Sequence, residues 1–506
     1  MLKFIDGFLN SITMYRLVLY GLMAMAILAI AFGFSDVLPY SGSRLLISAL
    51  LLVSICYFAN RIFAAMFRAQ RNIESAIITA LILFFILAPI TGLADTVTMG
   101  LIGILSMALK YILAVGQKHV FNPAAIAIFC AGLLGSDGII WWVGSSFLLP
   151  IVVIVGLLVV RKIRRFTLFT FFVGTSLVTI LIFGLVNKLE AIEVIKQAVL
   201  SWPLLFFASI MLTEPQTTPP KKYQQIVYGI LTGLLFGSQF HLGPIYSTPE
   251  FALVVGNIFS YLVSSKQRLF LSLKEKLPLA PDIYEFNFSA DKKLDFAPGQ
   301  YLEWTLSHHH PDDRGNRRYF TVASSPTENE IKLGVKINNQ FSSSFKKALL
   351  AMEKNDKISA SQLGGEFVLP KENDKKLVFI AGGIGITPFR SMIKYLVDKN
   401  QKRDIMLFYA NADVKDFVYQ DLLKQAEQSF GLKTIYVATD PQRTPQDWPG
   451  KTGYITDQMI QDNAPDYLER IFYLSGPDAM VKNYRRLLLK LVIRTKNIKT
   501  DYFPGF

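Results

Sequence analysis

Apolar positions divide this chain into two regimes. From Met14 to about Val263, uncharged runs of bilayer-spanning length recur with short breaks. From Leu269 onward charged residues are frequent and apolar runs shorten to strand length, so the boundary falls in Ser264-Ser265-Lys266-Gln267-Arg268. The first regime predicts an α-helical polytopic membrane domain over 1–268 with about ten spans, near 14–34, 44–60, 74–93, 96–116, 122–135, 139–160, 166–186, 198–212, 225–243 and 250–265. The first run is long and no small-residue cleavage site follows it cleanly, so it reads as an anchor rather than a cleaved leader. Basic residues collect in alternate connections: Arg61, Arg68 and Arg71; Lys118; Arg161, Lys162, Arg164 and Arg165; Lys221 and Lys222; Lys266 and Arg268. The remaining connections carry mainly Arg44, Lys188 and Lys196. The positive-inside rule then places both termini and the polar half in the cytoplasm, with the chain in a prokaryotic cytoplasmic membrane.

The second regime changes period once. Residues 269–370 alternate over short segments such as Phe286-Asn287-Phe288 and Tyr301-Leu302-Glu303-Trp304, which predicts a small antiparallel β-barrel. Residues 371–506 alternate strand and helix patterns, which predicts an α/β domain with a parallel sheet and ligand at the carboxyl ends of its strands. There the run Leu377-Val378-Phe379-Ile380 leads into Ala381-Gly382-Gly383-Ile384-Gly385-Ile386-Thr387-Pro388 and then a helical stretch. Glycines between a strand and a helix let the backbone approach a pyrophosphate at the helix N-terminus, although tight turns also use glycine for steric reasons alone.

A mean hydropathy of +0.36 excludes a wholly soluble chain. The net charge of +14 lies largely beside apolar runs, where it orients helices, so no nucleic-acid partner is expected. Cys56 and Cys130 sit in apolar helices and cannot supply an iron–sulfur site. His308-His309-His310 reads as a solvated hairpin, and no metal site is expected. Two stretches depart from plain apolar helix: Lys118 to Ala125, with Asn122 and Pro123, and Thr213-Glu214-Pro215-Gln216-Thr217-Thr218-Pro219-Pro220. They read as polar ligand sites at broken helices or, equally, as loops with helix-starting prolines.

The Phe-Asn-Pro-Ala run at 121–124, the Thr-Glu-Pro-x-Thr run at 213–217 and the run from Pro249 to Asn257 resemble the flavin-bearing membrane subunits of two redox complexes. These are the B subunit of the sodium-pumping NADH:quinone reductase and the D subunit of the Rnf complex. The resemblance implies two related halves and a flavin, FMN or riboflavin, bound near Asn122, Pro123, Thr213, Glu214 and Thr217. Members esterify FMN to the threonine of an Asp-x-x-Ser-Gly-Ala-Thr sequence. The corresponding Ser136-Asp137-Gly138-Ile139-Ile140 has no such threonine, so this flavin is expected to be non-covalent.

The polar half resembles the ferredoxin–NADP reductase superfamily. Phe296-Ala297-Pro298-Gly299-Gln300-Tyr301 looks like the barrel strand leading to the flavin, and Arg318-Tyr319-Phe320-Thr321 matches its Arg-x-aromatic-Ser/Thr signature. By resemblance Arg318 pairs with FAD pyrophosphate, Phe320 lies against the isoalloxazine and Thr321 bonds near N5. Lys336 and Ser342 or Ser343 complete the phosphate cradle. Ser475-Gly476-Pro477 stands where the family has Cys-Gly-Pro under the nicotinamide, and Phe506 looks like the terminal aromatic that stacks on the flavin. Asp440, in Thr439-Asp440-Pro441-Gln442-Arg443, suits ribose hydroxyls and repels a 2′-phosphate, which favours NADH; Arg443 keeps NADPH open. Trp448-Pro449-Gly450 and Gly453-Tyr454-Ile455 resemble the NADH-using component of the sodium-pumping complex.

The leading expectation is a membrane-bound NADH dehydrogenase that passes electrons from FAD to a membrane flavin and on to a quinone or external acceptor. Alternatives are a membrane-anchored quinone reductase without transmembrane transfer and a redox-driven sodium or proton pump; a homo-oligomer is compatible with each. A haem reductase of the same domain order would need paired histidines on facing helices, whereas beyond 308–310 the chain has only His119 and His241. The spans are nearly free of ionisable groups, with Lys110 placed to snorkel to the cytoplasmic face.

Overall fold

The computed structural model describes residues 5, 9 and 12–503, apart from 68, 70–71, 116–117, 137, 239, 244, 265–267, 309–311, 313–315 and 339–341. The chain forms two compact units, Met1–Lys266 and Gln267–Phe506.

The first unit is helical: α1 (Met14–Phe34), α2 (Gly42–Met66), α3 (Ile73–Ile86), α4 (Leu93–Ile112), α5 (Pro123–Leu133), α6 (Leu149–Ile163), α7 (Phe166–Val186), α8 (Ala191–Leu200), α9 (Lys222–Gly237) and α10 (Pro249–Val263). Between α8 and α9 a turn of helix at Leu204–Phe206 continues as a π-helix over Phe207–Met211. Among the described residues α1, α2, α4 and α7 are long and apolar enough to cross a bilayer, and α8 with Leu204–Met211, bent by 56°, adds a fifth if the pair is one span. The expectation of about ten rested on uncharged length, and several of those runs are not continuous helix. Asn72, Asn122 and Thr248 cap α3, α5 and α10 at about the expected positions, and the helices run only 14, 11 and 15 residues. The run containing α3 leaves the helix at Leu87, shortly before Pro89.

Backbone freed by these breaks finds partners inside the unit, as an apolar surrounding requires. Ile140 and Trp141 N–H both donate to Ile86 O at 3.0 Å, and Ala88 N–H donates to Gly138 O at 2.8 Å. Trp142 Nε1 donates to Phe84 O at 2.7 Å and to Leu87 O at 3.1 Å. On α9 the four-residue spacing of Gly229, Gly233 and Gly237 lets its backbone lie against α7; a Cβ at Gly233 would stand 2.9 Å from Phe172 O.

The second unit has two sheets. Six antiparallel strands, β1 (Leu269–Ala280), β2 (Ile283–Ala290), β3 (Tyr301–Thr305), β4 (Arg317–Thr321), β5 (Ile331–Lys336) and β6 (Lys357–Gly364), pair in the order β4-β3-β6-β1-β2-β5. The two edges approach where Ala323 N–H donates to Lys332 O at 2.9 Å, so the sheet curls around a core holding Phe286, Phe288, Trp304 and Phe345. Helix α11 (Ser344–Ala351) packs on this core through Phe345 and Leu349.

The other sheet is wholly parallel. Its strands β7 (Leu377–Gly382), β8 (Ile405–Asn411), β9 (Lys433–Ala438), β10 (Lys451–Thr452), β11 (Ile471–Pro477) and β12 (Ile498–Phe503) run in the order β10-β9-β8-β7-β11-β12. Strands β7 and β8 are buried at every residue, which is why they read as continuous apolar runs. The strand order reverses between β7 and β11, the place beside which open α/β sheets bind ligands at the carboxyl ends of their strands.

Candidate functional sites

Three segments meet at the carboxyl end of β7 and β11. The glycine loop forms a 3-10 turn, Gly383–Ile386, leading into helix α12 (Thr387–Asp398), which carries Pro388 in its first turn. Gly383 has φ +56, and a Cβ there would meet only Asn411 Oδ1, at 3.6 Å. Gly385 is glycine for a different reason than phosphate approach: a Cβ there would stand 2.4 Å from Ser475 O. Ser475 lies in the buried part of β11, which ends at Gly476 before the exposed Pro477, and its register partner on β12 is Asp501.

The barrel brings Thr321, the last residue of β4, to the same place. Burial pushes the Asp501 carboxyl up to about 6, and the Thr321 hydroxyl beside it favours the charged form in part. Asp501 carries no sequence signal, being a lone carboxylate in a polar strand; only the pairing of β11 with β12 sets it opposite Ser475. Phe506 lies outside the described residues.

Arg318 and Phe320 alternate with Tyr319 on β4 and share the face toward α11. The Arg318 guanidinium sits 5.5 Å from the centre of the Phe345 ring, and the Phe320 ring is 5.8 Å from it. Arg318 Nη2 pairs with Asp312 at 3.1 Å, and Asp312 Oδ2 accepts from Ser344 N–H at 2.9 Å, so the first turn of α11 and the arginine converge on one anionic position. Ser343 caps α11, and Ser342 N–H donates to Asn338 O. Lys336 instead reaches the nucleotide domain, bonding Asp416 at 2.7 Å. Tyr319 is exposed and donates to Glu303. His308 bonds Leu306 O and Ser344 Oγ; His309 and His310 lie outside the described residues.

These residues fit a flavin and a nicotinamide. Ser475 Oγ is a buried hydroxyl without a hydrogen-bond partner among the described residues, where a polar ring edge would satisfy it, and Thr321 Oγ1 lies buried beside the Asp501 carboxyl. Asp440 caps the turn Pro441–Arg443 and pairs with Arg443 at 3.3 Å, so the two groups expected to choose the nucleotide hold each other at the surface.

In the membrane unit the three unusual stretches form one network. His119 Nε2 contacts Glu214 Oε1 at 2.8 Å, and Asn122 Nδ2 donates to Glu214 Oε2 at 3.0 Å. Asn257, on α10, accepts from Asn122 N–H at 2.8 Å and donates to Tyr228 OH at 3.1 Å. Asn122 Oδ1 also receives the Ala124 and Ala125 amides. Thr213 and Thr217 bond backbone carbonyls of Ser209 and Glu214. Lys110, expected to snorkel, is turned inward to Ser75 Oγ at 3.1 Å and Asn60 Oδ1 at 3.4 Å.

Fold and site together define the second unit as a ferredoxin reductase-like FAD and NAD(P)H module, that is, an oxidoreductase. Residues 379–486 match the oxidoreductase NAD-binding domain family. The chain is 25% identical to the phenol hydroxylase P5 protein of Acinetobacter pittii over 49% of its own length and 68% of that protein. It is 31% identical to the F subunit of the Na(+)-translocating NADH-quinone reductase of Neisseria meningitidis, spanning 31% of this chain and 39% of that one. The FAD/NAD-binding domain of Vibrio cholerae nitric oxide dioxygenase matches at 20% identity and a TM-score of 0.40, covering 46% of this chain and 98% of that one.

Proposed function

We propose that the chain is a membrane-bound NADH-oxidising flavoenzyme of the cytoplasmic membrane. In this reading electrons pass from NADH through FAD to a second, non-covalent flavin in the membrane half, and on to a quinone or extracytoplasmic acceptor. The observation that carries it is the meeting of the 121–124, 213–217 and 249–257 stretches in one buried network of a chain that also holds the reductase module.

A bound FAD would supply acceptance of hydride from NADH and release of single electrons. Arg318 and the first turn of α11 would hold the pyrophosphate, Thr321 would meet the reacting edge of the flavin, and Ser475 with Gly476 would orient the nicotinamide. Packing of Gly385 on Ser475 keeps the glycine loop and the nicotinamide end of β11 at a set spacing. NADH is preferred because the Asp440 carboxylate repels a 2′-phosphate, and the Arg443 pairing tempers that repulsion.

One observation favours the alternative of a membrane-anchored quinone reductase with a single flavin. Asn122, Thr213, Glu214 and Thr217 direct hydrogen bonds to one another and to the backbone, and none of their side-chain atoms is among the buried ones without a partner. Flavin stoichiometry decides. Two flavins per chain, both released by denaturation, support the relay; one flavin per chain refutes it.

A further inference from the structure

The network around Glu214 includes an ionisable pair. Glu214 and His119 touch at 2.8 Å with side chains 13% and 8% exposed, inside a helical unit whose buried polar residues are otherwise hydroxyl and amide side chains apart from Glu250. An ionisable pair in such a place is costly and usually functional. The groups facing Glu214 come from separate elements. His119 lies in a two-residue strand before α5, Asn122 caps α5, Tyr228 lies on α9 within electrostatic reach, and Lys110 on α4 also lies within reach, with Cys56 of α2 beyond it. Asn122 is fixed in turn by Asn257 and by two helix amides, so its amide group presents a donor to Glu214 and no free acceptor.

We propose that Glu214 and His119 form a redox-linked proton-exchange pair in the membrane half. The inference deepens the proposed function and rests on its claim that electrons from NADH reach this half. A carrier there, whether an isoalloxazine or a quinone, takes two electrons and two protons. One proton is the one shared by His119 Nε2 and Glu214 Oε1: its bond to the pair breaks, a bond to the carrier forms, the second proton comes from water, and the electrons come from NADH by way of FAD. The pair is left as neutral imidazole and carboxylate, a net negative charge that Lys110 faces, and water returns the proton.

The test uses full-length protein purified with its flavins, Glu214→Gln, His119→Gln and Glu214→Asp, with a short-chain ubiquinone as acceptor. Reduction of FAD by NADH in the same samples normalises for the soluble half. With flavin content retained, both glutamine variants are expected to lower quinone reduction by about a hundredfold, the lower end for losing a positioned proton donor. They should also flatten its pH profile, with Glu214→Asp restoring part of both. In redox-difference infrared spectra, a carboxyl band of the wild type should vanish in Glu214→Gln. A wild-type rate, pH profile and carboxyl band in Glu214→Gln would overturn the proposal, as would loss of a flavin from that variant, which would make Glu214 a flavin-holding residue. A wild-type protein with one flavin refutes the relay alone; the infrared band and the pH profile then still decide the pair, with quinone as the carrier.

Discussion

Gly385 packs on Ser475 so closely that a first side-chain carbon would stand 2.4 Å from the Ser475 carbonyl oxygen. The contact joins the loop after β7 to the end of β11. Gly385→Ala is therefore expected to force the two strand ends apart, costing about 2 kcal/mol, the ordinary scale of overpacking. Urea unfolding followed by flavin fluorescence measures the loss, and NADH binding should weaken with it. An unchanged midpoint and affinity would show that the loop gives way freely.

Arg390 of α12 is buried and reaches the barrel, donating to Ala323 O at 3.0 Å and pairing through both terminal nitrogens with Glu328. That pairing holds the Glu328 carboxyl below its usual range despite its burial, which acts in the opposite direction. Glu328→Ala leaves the guanidinium buried without its counter-charge and should destabilise the soluble half by about 3 kcal/mol. The same unfolding measurement checks it, with Arg390→Met/Glu328→Met expected to recover part of the loss.

Asp501 has a folded pKa of about 6, above the ordinary carboxylate value. Between those two values the folded state binds more proton than the unfolded state, so stability is full at low pH and falls as pH rises through about 6. Asp501→Asn should remove this part of the pH dependence and raise the melting temperature more at neutral than at acid pH. Parallel melting curves for wild type and variant would sink the assignment.

The Asp440 and Arg443 pair predicts opposite shifts in nucleotide choice. Asp440→Ala should raise kcat/KM for NADPH relative to NADH, and Arg443→Ala should lower it, each by about tenfold, the scale of one charge contact. Identical ratios in all three proteins would place the selector elsewhere.

Arg318→Ala removes the cation facing the anionic position at α11, and FAD affinity should fall by about ten- to a hundredfold. Flavin content after purification and titration of the apoprotein measure it. Full FAD occupancy in the variant would move the pyrophosphate away from Arg318.

The glycine loop shows how far local pattern reaches. A strand, a glycine turn and a helix were legible from Leu377 to Val397, because burial on both faces leaves a continuous apolar run. The reason for Gly385 was not legible, since its neighbour Ser475 lies far along the chain and meets it only through the pairing of β7 with β11. Asp501 was missed on the same ground. In the membrane half, uncharged length predicted about ten spans, whereas α3, α5 and α10 are short helices. Hydropathy records transfer cost, which a helix and a buried irregular segment share, and it carries no information on where carbonyls such as Ile86 O find donors.

By itself, then, the sequence determined the division into an apolar and a polar half, the antiparallel and parallel periods of the latter, and the local motifs that mark a reductase module. Each depends on residues close in the chain, through side-chain period, capping and backbone freedom. Tertiary structure alone decided which motifs meet. His119 with Asn122, Glu214, Tyr228 and Asn257 come from four separate segments, and Thr321 and Asp501 from two sheets. The physical reason is that isolated polar groups are costly in an apolar interior, so they gather where the packing of distant elements lets them satisfy one another.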